Sequence, residues 1–234
     1  MIRLKTSLIR KISLLLVAAI FSVSAMAADF DQVQREANQG FVEDQAALGA
    51  MYYLGEGVHQ DYSKAAELLG KAASQGVPDA QYLLGAMYYL GEGVHQDYSK
   101  AAQWTEKAAS QGVPDAQYLL GTMYAEGKGV RQDYSKASEW HMKAARQGLA
   151  QVQSDLGKIY YHGEGAKQDY KKAAEWFKKA ADQGLAEAQY NLGLMYFKGE
   201  GVSQNYATAK EWFGKSCDNG DQDGCDRYRK LNQR

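Results

Sequence analysis

The sequence predicts an all-α protein, an α/α solenoid, and three observations lead there. First, Leu-Gly recurs every 36 residues, at Leu48-Gly49, Leu84-Gly85, Leu120-Gly121, Leu156-Gly157 and Leu192-Gly193. A fixed period of this length marks an array of supersecondary units, each too small to bury its apolar face alone. Second, the chain has only two prolines and is rich in Ala, Leu, Lys, Glu and Gln, which favours helix. Third, each period breaks twice at glycine, once inside the unit and once at its end, so that every unit reads as two helices.

Taken in order, residues 1–27 read as a signal peptide. Arg3, Lys5, Arg10 and Lys11 make a basic n-region, Ile12 to Val23 a short apolar core, and Ala25-Met26-Ala27 a small-x-small cleavage site. A bilayer span needs about 20 apolar residues, and this stretch is shorter, so cleavage after Ala27 is expected rather than retention as an anchor. Ala28, not Cys, follows the cut, which gives no signal for a lipid anchor. Removing the segment leaves 23 basic against 28 acidic residues, a net charge of −5. That mild acidity opposes non-specific binding to nucleic acid or anionic lipid, and no Lys/Arg cluster counters it. The expectation is a periplasmic or secreted protein with no stable membrane insertion after cleavage.

Residues 28–40 read as a lone capping helix. Five full units follow, at 41–76, 77–112, 113–148, 149–184 and 185–220, and residues 221–234 supply a second lone cap. Unit 77–112 serves as the template. Gly76 ends the preceding helix in a left-handed turn, and Pro78 opens the first helix (helix A) where a missing N–H costs nothing. Ala80, Leu84, Met87 and Tyr88 form an apolar stripe. Gly85 sits in mid-helix at a cost of about 1 kcal/mol relative to alanine, which calls for close approach by a neighbouring helix. Gly91-Glu92-Gly93 breaks the chain. Asp97 then caps the second helix (helix B), as do Asp61, Asp133, Asp169 and Asn205 in the other units. Helix B presents Tyr98, Ala101, Ala102, Trp104, Ala108 and Ala109 on one face. Trp140, Trp176 and Trp212 repeat the bulky position, which Leu68 fills in the first unit.

These residues carry a resemblance. Leu120-Gly121-Thr122-Met123-Tyr124, Gly127-Lys128-Gly129-Val130, Asp133-Tyr134-Ser135-Lys136-Ala137, Trp140 and Lys143-Ala144-Ala145 resemble a Sel1-like repeat, in five copies over residues 41–220. The resemblance implies antiparallel helix pairs related to the tetratricopeptide repeat, stacked as a right-handed superhelix. It also implies a role as adaptor, assembly factor or envelope-interaction protein. Ala166, Asn205 and Thr208 depart from the pattern without breaking it. Cys217 and Cys225 are the only cysteines. They fall on neighbouring helices, in positions held elsewhere by Ala181 and Gln189, and an exported pair is expected to be oxidised. The spacing is similar to that of the secreted, cysteine-rich Sel1 branch, whose cysteines bridge adjacent helices. The alternatives are a free pair or a metal site, and two thiols without a nearby His make a poor zinc site.

Chemistry is sparse. His59, His95, His141 and His162 fall in no ligand spacing. Gly214-Lys215-Ser216 lacks the glycine that a phosphate-binding loop needs five residues earlier, where Ala209 stands. Some cysteine-rich relatives are described as β-lactam-binding or β-lactamase-like, but no Ser-x-x-Lys or Lys-Thr-Gly occurs here. Residues 48–66 and 84–102 are identical, and a unique catalytic site is hard to build from copied modules. Glu56, Glu92, Glu164 and Glu200 with Asp61, Asp97 and Asp169 form a row that reads as a divalent-metal edge or, preferably, as caps and solvated charges. The expected function is a non-enzymatic, cofactor-free scaffold for a protein or peptide. Its groove lies along helix A on the concave side, with Tyr82, Tyr89, Tyr118, Tyr161, Tyr190 and Phe197 as anchors. The readings ranked below it are the β-lactam-binding protein and an envelope assembly factor.

Overall fold

The computed structural model describes residues 30–233 except Gly165. The signal-peptide reading of 1–27 lies outside the described residues. Twelve helices and no strand occur among those described. They are α1 (Phe30–Gln39), α2 (Val42–Leu54), α3 (Tyr62–Ser74), α4 (Pro78–Leu90), α5 (Tyr98–Ser110), α6 (Pro114–Glu126), α7 (Tyr134–Arg146), α8 (Ala150–His162), α9 (Tyr170–Asp182), α10 (Ala186–Lys198), α11 (Tyr206–Asp218) and α12 (Gln222–Asn232). Even-numbered helices are of type A and odd-numbered of type B. The chain divides into two compact units, one ending at Asp133 and one beginning at Tyr134. In the first, α2–α3 and α4–α5 are hairpins, with α1 packed on α2, α3 on α4 and α5 on α6. In the second, α7 packs on α8, the hairpins are α8–α9 and α10–α11, α9 packs on α10, and α12 closes on α11.

Local chemistry sets the boundaries. Asp61 accepts from the N–H groups of Ser63 and Lys64. Asp97, Asp169 and Asn205 do the same for Lys100, Lys172 and Thr208, at 3.0–3.1 Å. Each satisfies a donor that the first helical turn leaves open. Two sets of glutamines, which the sequence reading passed over, complete the ends. Gln60, Gln96, Gln132, Gln168 and Gln204 reach back to the last-turn carbonyls of Tyr53, Tyr89, Ala125, Tyr161 and Phe197 at 2.8–2.9 Å. Gln81, Gln117, Gln153 and Gln189 are buried and donate to the carbonyls of Ala73, Ala109, Ala145 and Ala181, each near the end of the preceding B helix. A buried amide is tolerated only when bonded, and these bonds tie each A helix to the B helix before it.

The mid-helix glycines meet the close approach expected of them. A Cβ built on Gly49 would fall 2.8 Å from Leu69 Cγ, one on Gly157 2.7 Å from the Phe177 ring, and one on Gly193 2.8 Å from the Phe213 ring. The partner is thus the residue after the tryptophan position, not the tryptophan. Leu69, Thr105, Phe177 and Phe213 are almost wholly enclosed, whereas Trp104, Trp140, Trp176 and Trp212 are half-buried at the edge. There a lysine one turn on lies 3.8–4.2 Å above each ring, a cation–π contact. The single apolar stripe on helix A is also too narrow a description. In α4, Ala80 through Met87 and Tyr89 are all buried while Tyr88 is only half-buried, because α4 is packed by both α3 and α5.

Thr105 is an exception in this spine. It is fully buried, its hydroxyl has no partner, and a Cβ on Gly85 would lie 2.6 Å from that oxygen. Thr105→Val keeps the shape and removes an unsatisfied polar atom, so it is expected to stabilise the fold by about 1 kcal/mol, read as a higher urea midpoint at unchanged m-value.

In α12 the position of the mid-helix glycine changes character. Arg229 stands 36 residues after Gly193. It is exposed and pairs with Asp226 at 3.0 Å.

Candidate protein-binding face

The predicted groove residues fall into separate environments. Tyr82 and Tyr89 are only 1% and 4% exposed, so they are enclosed and offer a guest no surface. Tyr118, Tyr161, Tyr190 and Phe197 are half-buried. Tyr190 turns toward Phe213 of the paired helix, with ring centroids 5.6 Å apart. Phe197 lies at the loop end of α10, 5.3 Å from the ring of Tyr206.

Tyr89 and Tyr161 belong to a recurring tie between pairs. Tyr53 donates its hydroxyl to Glu92 at 2.9 Å, Tyr89 to Glu126 at 3.0 Å and Tyr161 to Glu200 at 2.6 Å. In each case the acid belongs to the next pair, at or beside its Gly-x-Gly loop. Lys128 and Lys198 donate to the hydroxyls of Tyr89 and Tyr161 at 3.0 Å and pair with Glu126 and Glu200 at 2.9 and 3.5 Å. The order of charges is Glu-Gly-Lys in one loop and Lys-Gly-Glu in the other, yet the same triad forms. Burial, with the Glu126 charge beside it, pushes the Tyr89 hydroxyl up to about 12, against the lowering effect of Lys128. Burial and Glu92 raise that of Tyr53 further. The acidic row is therefore not a set of solvated charges throughout. Glu92 is 7% exposed and Glu200 is committed to Tyr161. Among the described residues no three His, Cys, Asp or Glu side chains gather as a metal site.

The A-helix face differs between the two units. In the first, Asp115 is buried with one carboxylate oxygen unpaired. Burial pushes its carboxyl up to about 7, helped by the charge of Asp79, 36 residues earlier in α4. In the second, Lys158 bridges Asp155 at 3.2 Å and Glu187 at 2.6 Å, linking α8 to α10. Cys217 and Cys225 form a disulfide, Cα atoms 4.4 Å apart, that joins the last turn of α11 to the start of α12. Among the described residues no helix is long and apolar enough to cross a membrane.

Helix pairs of constant length, stacked through glycine contacts and glutamine bridges, define an α-helical repeat scaffold. The chain belongs to the Sel1 repeat family: the model of that repeat matches residues 42–77, 78–113, 114–149, 150–185 and 186–221, each match opening on the first residue of an A helix. Members of this family are generally protein-interaction scaffolds rather than enzymes. Among solved structures, the chain is similar to a protective antigen of uropathogenic Escherichia coli strains. The two share 38% identity at a TM-score of 0.81, over 85% of this chain and 42% of that one. A Sel1 repeat protein of Oxalobacter formigenes shares 37% at 0.80, over 86% and 59%. One of Klebsiella pneumoniae shares 28% at 0.56, over 88% of this chain and its own full length. The chain thus spans about half the length of the first two. No protein of curated function matches it.

Proposed function

We propose that this chain is an exported, non-enzymatic scaffold that holds a protein or peptide against its A helices. Residues 1–27 act as the cleaved leader, and the five repeats form the working part. The observation that carries the reading is the five-repeat match across residues 42–221, with a family whose members generally bind proteins. Two further features support it. Tyr118 on α6 and Tyr161 and Tyr190 on α8 and α10 keep part of their rings accessible, and aromatic anchors carry much of the energy of protein contacts. The disulfide fits an oxidising compartment.

Photo-crosslinking in cells, with p-benzoylphenylalanine placed at Tyr118 or at Tyr190, tests the face. The expected result is one recurrent adduct, identified by mass spectrometry and missing when the probe sits at exposed Lys107 or Glu175 on B helices. Equal labelling from both faces would reject the A-helix assignment. Amino-terminal sequencing of the extracytoplasmic fraction tests export, with Ala28 as the expected first residue.

A further inference from the structure

Asp115 lies in the first turn of α6. It is 3% exposed, and one of its carboxylate oxygens has no hydrogen-bond partner. Asp79 holds the same place in α4, 36 residues earlier, and is half-buried. The two helices touch directly. The charge of Asp79 adds to the burial that raises the Asp115 carboxyl, while the backbone N–H of Asp115 works the other way. Burial raises Asp79 as well. The elements packed on α6 bring no relief. Besides Asp79, α4 carries the buried phenol of Tyr82 one turn on. On α5, Lys100 pairs with Asp97 at 3.9 Å, Lys107 lies 4.0 Å from the Trp104 ring, and Glu106 is exposed. Within α6, Tyr118 follows one turn on, and Glu126 at the far end is held by Tyr89 and Lys128.

The same register is built differently in the second unit. There Glu187 of α10 receives the Lys158 ammonium at 2.6 Å, and Lys158 stands 29 residues before it. At that distance before Asp115 stands Ala86, and before Asp79 stands Ala50, both buried. An alanine brings no charge, so Asp115 can ionise only in a dry site without a counter-ion, which is costly. We propose that Asp115 and Asp79 form a proton-operated clasp between α4 and α6: with Asp115 neutral the first turns of the two helices stay closed, and with it ionised they part. A carboxyl raised in the closed form holds its proton more tightly there than in the open form. The closed form is therefore most favoured below about pH 4, loses ground as the pH rises to about 7 and changes little above that. The clasp does not depend on a guest at the A-helix face.

The test uses the whole mature, oxidised protein. Carbon-detected NMR of the Asp side-chain carboxyls, followed against pH, reads Asp115 directly. Its midpoint is expected near pH 7, and Asp79→Asn, which removes the like charge, is expected to lower it. Amide exchange, corrected for its intrinsic pH dependence, reads the clasp. Between pH 5.5 and pH 8 it should rise about 30-fold in residues 81–85 of α4 and 117–121 of α6. Over the same range it should change by less than about twofold in α10, where Glu187 has its lysine. Asp115→Asn keeps the shape of the side chain and cannot ionise, so the rise should vanish in that variant. A midpoint for Asp115 in the ordinary carboxylate range, a rise that survives Asp115→Asn, or an equal rise in α10 would each overturn the proposal. The titration of the unmodified protein decides the matter even if the Asn variant folds poorly.

Discussion

Gly93→Ala is expected to destabilise the protein by about 3 kcal/mol or more, while Gly57→Ala costs only about 1–2 kcal/mol. The two glycines are copies of one loop position, with the same φ of 70° and identical neighbours in sequence. The left-handed strain of an alanine is therefore common to both. They differ in what lies above them. A Cβ on Gly93 would run into the backbone carbonyl of Tyr62, a group that cannot move without unwinding the start of α3. A Cβ on Gly57 would meet only the Met51 methyl at 3.2 Å and Phe30 Cβ at 3.9 Å, and the end of a methionine side chain can turn aside. The difference between the variants isolates the contact between successive pairs. A solenoid is stable through such nearest-neighbour contacts, so Gly93→Ala should also broaden the urea transition, with circular dichroism and tyrosine fluorescence no longer coincident. Equal losses for the two variants would show that the seat of the loop contributes nothing to stacking.

Most of the architecture was legible because a copied unit states each rule several times. The 36-residue step, the prolines at helix starts, the capping Asp and the glycine breaks all reappear where they were read. The faces of the helices were less legible. Periodicity assigns a helix one buried side, but an A helix here is enclosed by its own B helix and by the preceding one. Tyr82 and Tyr89, which look like an outward aromatic stripe, therefore end inside. The residue that meets the mid-helix glycine was hidden for a related reason: Leu69, Thr105, Phe177 and Phe213 differ too much in chemistry to signal a common role. The tyrosine ties could have been noticed. Tyr89 precedes Glu126 and Lys128, and Tyr161 precedes Lys198 and Glu200, in the same register of the 36-residue step.

Opening the disulfide is expected to cost about 2.5 kcal/mol, the loop-closure value for so short a span, and its effect should stay local. α12 is held on α11 by that bond and by Tyr228, whose ring lies over Gly214 and 5.7 Å from the Lys210 ammonium. Gly224 is its single buried residue, held against Ser216 of α11, and Ser216 donates to Asp221 at 2.7 Å and to the Ala186 carbonyl at 2.9 Å. The rest of α12 is half-buried or exposed and largely charged. Reduction, or the double change Cys217→Ser and Cys225→Ser, should therefore speed amide exchange in residues 222–232 at least tenfold. In a solenoid the loss passes on only through the neighbouring helix. Exchange should rise modestly in α11, whose Phe213 fills the contact with Gly193, and stay unchanged in α2–α5. A reductant should have no further effect on the double-serine variant, which separates the bond from other actions of thiols. Uniform acceleration along the whole chain would mean that the repeats unfold as one body and that α12 is part of the common core rather than a tethered lid on its last pair.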